Sequence, residues 1–386
     1  MKKVLAMLLA LTMVLSLGTL ALAANDSVTL NVVTSYGGDD GNRANFEAAV
    51  RAYEEATGNK VNDGSATSNE EWKAKVLTDF ETGSEPDVLF FFTNADAEPF
   101  ISAGKVVSID EIRAEYPDYA TNMKSSMMAV AADGKQYSVP SSGYWENMFV
   151  NKAVLADCGI EVPHYWFEFM VMNNGTVENH LELPQSPDDA VAAKWAAALE
   201  DIKALYEAGY FPANTLTASD AETVELFNAG EAAFLIDGSW KVGYFTANAA
   251  DLNDFAISYV PAKGERSASE AIGGISMGYF ITRKAWDDPA KREAAVAFVS
   301  LLTSDEVMST FVTTEVTALV NGASPAGLNA LQQSAAEANA NITAIAGAVQ
   351  DSLTAEARGD LFANVQNVVT GKMTAEEAIA SALALN

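Results

Sequence analysis

Between Val28 and Phe92, strand and helix signals follow one another with no hairpin turn among them, and few folds accept that order. Val28 to Ser35 alternates and is rich in β-branched residues, so it reads as a strand. It runs into the loop Tyr36-Gly37-Gly38-Asp39-Asp40-Gly41. Phe46, Ala49, Val50 and Tyr53 then recur at helical spacing within Asn45 to Thr57, with Gly58 as a stop. A second helix is predicted from Ser68 to Phe80: Ser68 caps it, Glu71 takes the capping-box position, and Trp72, Val76, Leu77 and Phe80 form one face. After Gly83 and Pro86, Asp87 leads into the continuous apolar strand Val88-Leu89-Phe90-Phe91-Phe92. Strand, helix, helix, strand without hairpins implies an α/β fold with a parallel sheet covered by helices.

The stretch Leu226 to Trp240 has the same character. A helix stops at Gly230, and Ala232 to Ile236 is predicted as a buried strand ending in an Asp237-Gly238-Ser239 turn that presents Trp240. Apolar strand, glycine turn, then an aromatic at the carboxyl end is how open α/β sheets place a ligand-facing side chain. Core packing of Trp240 is the plain alternative, since aromatics carry much of any core. Elsewhere Thr93-Asn94-Ala95-Asp96 leads into a short helix ending at Gly104, and Val139 to Gly143 reads as a crossing segment. Trp145 to Asn151, Phe255 to Pro261 and Ile275 to Thr282 read as strands, and Asp188 to Ala208 and Pro289 to Thr303 as helices. Thr374 and Glu377 form a capping box that opens the last helix. There is no internal repeat and no low-complexity linker.

The chain opens Met1-Lys2-Lys3, then Val4 to Leu20 is almost wholly apolar, then Ala21-Leu22-Ala23 precedes Ala24. That is the pattern of a secretory signal peptide cleaved after Ala23, leaving 386 − 23 = 363 residues, more than one typical domain, so two lobes are expected. No later run is long and apolar enough to span a bilayer. A single cysteine, Cys158, rules out a disulfide framework and a four-cysteine metal site, and reads as a small core residue. The net charge of −29, about −31 without Lys2 and Lys3, disfavours nucleic acid and anionic lipid.

Gly274-Ile275-Ser276-Met277-Gly278 matches the nucleophile elbow G-x-S-x-G, whose order is serine, acid, histidine. Both histidines, His164 and His180, precede Ser276, and no strand-turn-helix surrounds it, because Ser276 falls inside a predicted strand. There is no Walker loop and no G-x-G-x-x-G, and no cofactor or metal is expected. A paired-carboxylate glycosidase survives by counting alone, because 52 acids offer many pairs. What does stand out is a set of aromatic and polar residues at strand boundaries: Tyr36 with its glycines, Asn94 with Asp96, Tyr144 with Trp145, and Trp240. Aromatic faces stack on the apolar faces of sugar rings, while Asp, Asn and backbone groups bond the hydroxyls.

Several segments then carry a resemblance. Phe46-Glu-Ala-Ala-Val-Arg-Ala-Tyr-Glu-Glu-Ala-Thr-Gly58, Glu70-Glu-Trp-Lys-Ala-Lys-Val76, Glu85-Pro-Asp-Val-Leu-Phe-Phe91 and Glu98-Pro-Phe-Ile-Ser-Ala-Gly-Lys-Val-Val107 come first. Gly134-Lys-Gln-Tyr-Ser-Val-Pro140, Phe149-Val-Asn-Lys152, Gly230 to Trp240, Ile272 to Tyr279 and Leu301 to Glu306 follow in order. The chain resembles the bacterial extracellular solute-binding proteins of family 1, the type of the maltodextrin-binding proteins that feed ABC importers.

The resemblance implies a two-lobed periplasmic-binding-protein type II fold, each lobe a mainly parallel sheet flanked by helices, with the ligand cleft between them. It places 24–138 and 259–312 in the first lobe, and 141–258 and 316–386 in the second. The ligand contacts it implies are Tyr36, Asn94, Asp96, Tyr144, Trp145, Trp166, Trp240, Gly273 and Gly274. It implies a non-enzymatic, monomeric carrier in the periplasm or cell-envelope space that takes up a carbohydrate and delivers it to ABC permease subunits. A receptor for a peptide or polyamine, and a secreted glycoside-active enzyme, are the alternatives. The chain departs from the family twice. Ala24 stands where a lipid-anchored member has cysteine, and after Gly159-Ile-Glu-Val-Pro163 the sequence passes directly to His164-Tyr-Trp-Phe-Glu-Phe-Met170. The second departure implies a second lobe shortened there, or rebuilt around Trp166 and Phe167.

Overall fold

A computed structural model describes residues 27–386 except 39, 142, 155–164, 213, 312–318 and 322–326. The signal segment, Asp39, Cys158, His164 and the junction after Pro163 lie outside the described residues. In chain order the elements are β1 (Thr29–Val33), α1 (Arg43–Thr57), β2 (Lys60–Asp63), α2 (Glu70–Glu81), β3 (Val88–Phe92), a 3-10 turn at Ala95–Ala97, α3 (Glu98–Ser102), α4 (Ile109–Glu115), β4 (Ser138–Pro140) and β5 (Tyr144–Asn151). Then come α5 (Tyr165–Asn173), α6 (Ala190–Glu207), α7 (Asp220–Asn228), β6 (Phe234–Gly238), α8 (Lys241–Asn248), β7 (Phe255–Ser258), β8 (Glu270–Gly274) and β9 (Met277–Ile281). The chain closes with α9 (Arg283–Trp286), α10 (Pro289–Leu302), α11 (Asp305–Phe311), α12 (Ala330–Asn339), β10 (Ala344–Ala346), a 3-10 turn at Val349–Ser352, α13 (Ala355–Val369) and α14 (Ala375–Leu383).

Two five-stranded sheets make two lobes. The first runs β2-β1-β3-β9-β4, and the second runs β10-β8-β5-β6 with β7 also on β5. In the first, β1 pairs parallel with β2 and β3, as the missing hairpins predict, while β9 joins β3 and β4 antiparallel. The second sheet departs from the mainly parallel expectation: β5 is antiparallel to β6, β7 and β8, and only β10–β8 is parallel. The strands β5 to β8 follow one another without a visit to the first lobe, and running against β5 they need none of the crossovers that a parallel pair requires. The expected return to the first lobe at Tyr259 is also early. β8 hydrogen-bonds inside the second sheet, and the chain rejoins the first sheet only at Met277. Leu319, bridged to Met123, packs in the first core and not with the second lobe.

Local chemistry explains the elements. On α1 the buried Phe46, Ala49 and Tyr53 make the stripe that lies on the first core, and Tyr53 Oη donates to the Ala294 carbonyl of α10 at 3.0 Å. Gly58 ends that helix at φ 76°, where a side chain would be strained. The cap of α2 is Asn69, one residue later than expected: its side chain accepts from Trp72 N at 2.8 Å. β2 escaped the sequence reading because Lys-Val-Asn-Asp is a mostly exposed edge strand with no apolar pattern. β6 runs two residues beyond Ile236, because Asp237 and Gly238 continue the ladder against Asn147 and Glu146. Ser276 sits between β8 and β9, not inside a strand, and a strand follows it, so the elbow's strand-turn-helix context is absent all the same.

The second lobe's main core is helical as much as it is sheet. Trp195 of α6 meets Phe167 of α5 edge-on at 5.4 Å, and α13 and α14 pack on α6. α14 depends on the capping box read in the sequence: Thr374 and Glu377 each bond the other's backbone N–H. Thr374→Ala is therefore expected to cost about 1 kcal/mol, read as a lower midpoint in equilibrium urea unfolding, with little change in far-ultraviolet circular dichroism.

Candidate functional site

Within the second sheet, β6 delivers Trp240 and its neighbour β5 begins with Tyr144, on the side where Gly41 of the first lobe comes against the Trp240 carbonyl and Gly243. Trp240 lies two residues past β6, at the start of α8, and its six-membered ring folds back over Gly238 so closely that a β-carbon there would overlap it. The Tyr144 ring stands beside it, centroids 6.0 Å apart and tilted by 36°. The glycine at 238 leaves the space that the Trp240 ring fills at the carboxyl end of β6.

Strand alternation divides the rest of the expected set. Side chains along β5 point alternately to the two faces, so Tyr144 and Trp145 cannot both face the cleft. Tyr144 and Glu146 share a face, while Trp145 is wholly buried on the other, 5.8 Å from Phe149 in the smaller core with Val242 and Phe245. Trp145 is a core residue, against expectation. So is Tyr36, whose ring stacks on Phe90 at 5.0 Å and neighbours Phe46 and Phe311. Its hydroxyl meets Ser141, 3.4 Å away in the crossing segment, and the hydroxyl of Tyr279, and burial pushes its pKa up. Trp166 is buried edge-on to Phe211 at 5.9 Å in the second core. Gly273 serves the sheet: a β-carbon there would stand 2.7 Å from the Tyr144 carbonyl, so its lack of one lets β8 close on β5. Gly274, at φ 141°, pairs with Tyr144 and has open space on its β-carbon side.

Asn94 and Asp96 keep their place at the lobe boundary, but protein groups already engage them. Asn94 Oδ1 accepts from the Asp96 backbone at 3.1 Å, while its Nδ2 is buried without a partner. The Asp96 carboxylate takes Lys73 of the first lobe at 3.4 Å and Arg358 of the second at 3.1 Å.

The sequence reading missed the carboxyl pair beside Tyr144. Glu146 on β5 and Glu168 on α5 are 3% and 0% exposed, and neither makes a salt bridge among the described residues. Gln350 Nε2 donates to Glu168 Oε1 at 2.6 Å. Burial first, and then the charges of neighbouring acids, push both pKa values well above the usual carboxylate range. A carboxyl that keeps its proton can both give and accept a hydrogen bond. Asp351, in the adjoining 3-10 turn, is also raised by burial, with Lys73 and Arg358 opposing. A signal did exist: Glu168 is the lone charge in Tyr165-Trp-Phe-Glu-Phe-Met-Val-Met172, and a charged residue inside an apolar run is buried only for a reason. Among the described residues no three histidine, cysteine, aspartate or glutamate side chains converge on a metal position. His180 is buried and neutral at pH 7, its pKa lowered to about 4 by burial and then by Arg266.

A raised carboxyl pKa in the folded state means stability that is full below the unfolded value of 4.5 and is lost as pH climbs through the folded value. Glu168→Gln keeps the hydrogen bonds and removes the ionisation. The variant is expected to melt about 2 °C or more above the parent at pH 8, with the gap closing at pH 4; differential scanning calorimetry at the two pH values reads it.

With this geometry in place, comparisons with known proteins give a consistent result. A family model described as bacterial extracellular solute-binding protein matches residues 38–309. No curated protein matches by sequence alone. Among solved structures, a chitin oligosaccharide binding protein superposes with TM-score 0.79 at 19% identity, over 93% of this chain and 98% of its own. The maltose/maltodextrin-binding domain MalE from Bdellovibrio bacteriovorus, bound to maltotriose, gives 0.71 at 18% identity, over 93% and 98%. The GacH receptor of Streptomyces glaucescens gives 0.68 at 18%, over 93% and 97%. At these identities the likeness is one of fold.

Proposed function

The chain belongs to the bacterial extracellular solute-binding proteins, and on that premise we propose that it captures a carbohydrate between its lobes and delivers it to an ABC importer. The observation that carries this reading is the Tyr144–Trp240 ring pair of the second lobe beside the Gly41 loop of the first, with Glu146 on the same face of β5 as Tyr144 and Glu168 near it on α5. Flat rings match the apolar faces of a sugar, and carboxyls that hold protons match its hydroxyls as both donors and acceptors. Similar folds described with chitin oligosaccharide, maltotriose and acarbose support the same class of cargo. Capture by closure requires that the solute touch both lobes when they are shut and one when they are open, since equal affinity for both states shifts nothing. Asn94 on the first lobe and Tyr144 with Trp240 on the second are the contacts we assign to it. No single helix among the described residues is long and apolar enough to cross a membrane.

One observation favours a second reading. Glu146, Glu168 and Asp351 lie together, and a polyamine would neutralise them. Thermal unfolding against sugars, oligosaccharides, peptides and polyamines separates the two, because a ligand at a hundred times its dissociation constant adds about 2.7 kcal/mol. A shift with a sugar class and none with polyamines is expected, and the reverse overturns the carbohydrate reading. Sugar turnover by the purified protein would instead place it among glycoside-active enzymes. Trp240→Ala is expected to weaken the sugar that shifts the midpoint by roughly tenfold, measured by titration calorimetry; unchanged affinity removes Trp240 from the site.

A further inference from the structure

Arg358 lies on α13 among the second lobe's helices and is 1% exposed, yet both of its carboxylate partners belong to the first lobe. Its Nη2 is 3.0 Å from Glu70 Oε2 and 3.1 Å from Asp96 Oδ1. Lys73 completes the group from the first lobe's side, 3.0 Å from Glu70 Oε1 and 3.4 Å from Asp96 Oδ2, with its ammonium over the Phe92 ring at 4.1 Å. The four charges make one network, and half of its bonds cross between the lobes. A second crossing contact uses no charge at all. Gly41, in the loop after β1, meets Gly243 of α8 so closely that a β-carbon on Gly41 would stand 2.8 Å from Gly243 Cα, and one on Gly243 would stand 2.6 Å from Gly41 Cα.

We propose that Arg358 is a positioning residue that clasps the two lobes shut in the absence of solute. On opening, Asp96 and Glu70 keep Lys73, but Arg358 loses both of the carboxylates it is ion-paired with and keeps only the nearby Asp351 of its own lobe. The loss is one-sided, so the clasp biases closure rather than merely decorating it. The inference rests on the lobes closing as bodies and not on which solute they enclose. A device that favours the closed state before any solute arrives lowers the cost of closing and slows entry, because solute must find the open minority.

Small-angle scattering of the purified, solute-free protein tests this. The parent is expected to scatter as a shut molecule, near the radius of gyration of about 21 Å that a compact chain of its length has. Gly243→Ala supplies the open reference, because its added methyl cannot fit against Gly41 while alanine suits a helix. Arg358→Met is expected to shift the radius upward toward that reference, and Glu70→Gln, at a half-exposed site, part of the way. Far-ultraviolet circular dichroism reports whether each variant is folded. If Arg358→Met is not, the double variant Arg358→Met/Asp96→Asn, which removes both buried charges together, takes its place. A parent already as expanded as Gly243→Ala overturns the clasp, and so do charge variants that scatter as the parent does. No solute enters the measurement, so failure of the sugar panel and failure of the clasp remain separate results.

Discussion

The backbone ladder of β5 is the interaction on which the rest of the molecule depends. Eight residues, Tyr144 to Asn151, carry β6 along one edge and β8 and β7 in tandem along the other. Because side chains alternate, that one ladder decides that Tyr144 and Glu146 look toward α5 and the Val349–Ser352 turn, while Trp145 and Phe149 look into the smaller core. A slip of a single residue would exchange the two sets, placing a bulky indole where the carboxyl is and a carboxyl among Phe227, Phe245 and Phe255. The register is held where Gly273 lets β8 come against Tyr144 and Trp145. Trp240 reaches its position only because β6 is bonded to β5 in the matching register.

Two solutions to a buried carboxylate stand side by side around this ladder. Asp96 is surrounded by cations, one from each lobe, and its charge is paid for in ion pairs. Glu146 and Glu168 have none among the described residues, and burial raises their pKa values. The first arrangement links separate bodies, and it matters when they move. The second stays within one lobe, and it matters when pH moves. The many other acids of this −29 chain need neither solution, because water solvates them.

Much of this was legible in the sequence, for reasons that can be named. Long periodic segments such as Asn45 to Thr57 and Pro289 to Thr303 declare themselves, because a buried stripe recurs with the helical period. The strand and turn before Trp240 were legible because an apolar run closed by Asp-Gly-Ser ends a buried strand. Trp145 and Tyr36 were misjudged for a common reason: position at a strand boundary says nothing about which face a side chain takes, and both aromatics found apolar neighbours. Arg358 was invisible, since its partners lie far away in sequence and only the meeting of two lobes brings them within reach. β8 was missed because Glu270-Ala-Ile-Gly-Gly274 is short and ends in glycines that suggest a turn.

Gly243 carries a further consequence. It occupies the first turns of α8, where glycine weakens a helix by roughly 0.5–1 kcal/mol relative to alanine, and it is not in the left-handed region that would demand glycine. An experimenter firming α8 by helix propensity would therefore choose Gly243→Ala, yet the added methyl would stand 2.6 Å from Gly41 Cα. The outcome is a firmer helix on a carrier that cannot shut against Gly41. At this position thermostability and capture pull in opposite directions, and a library screened on the first must be counter-screened on the second.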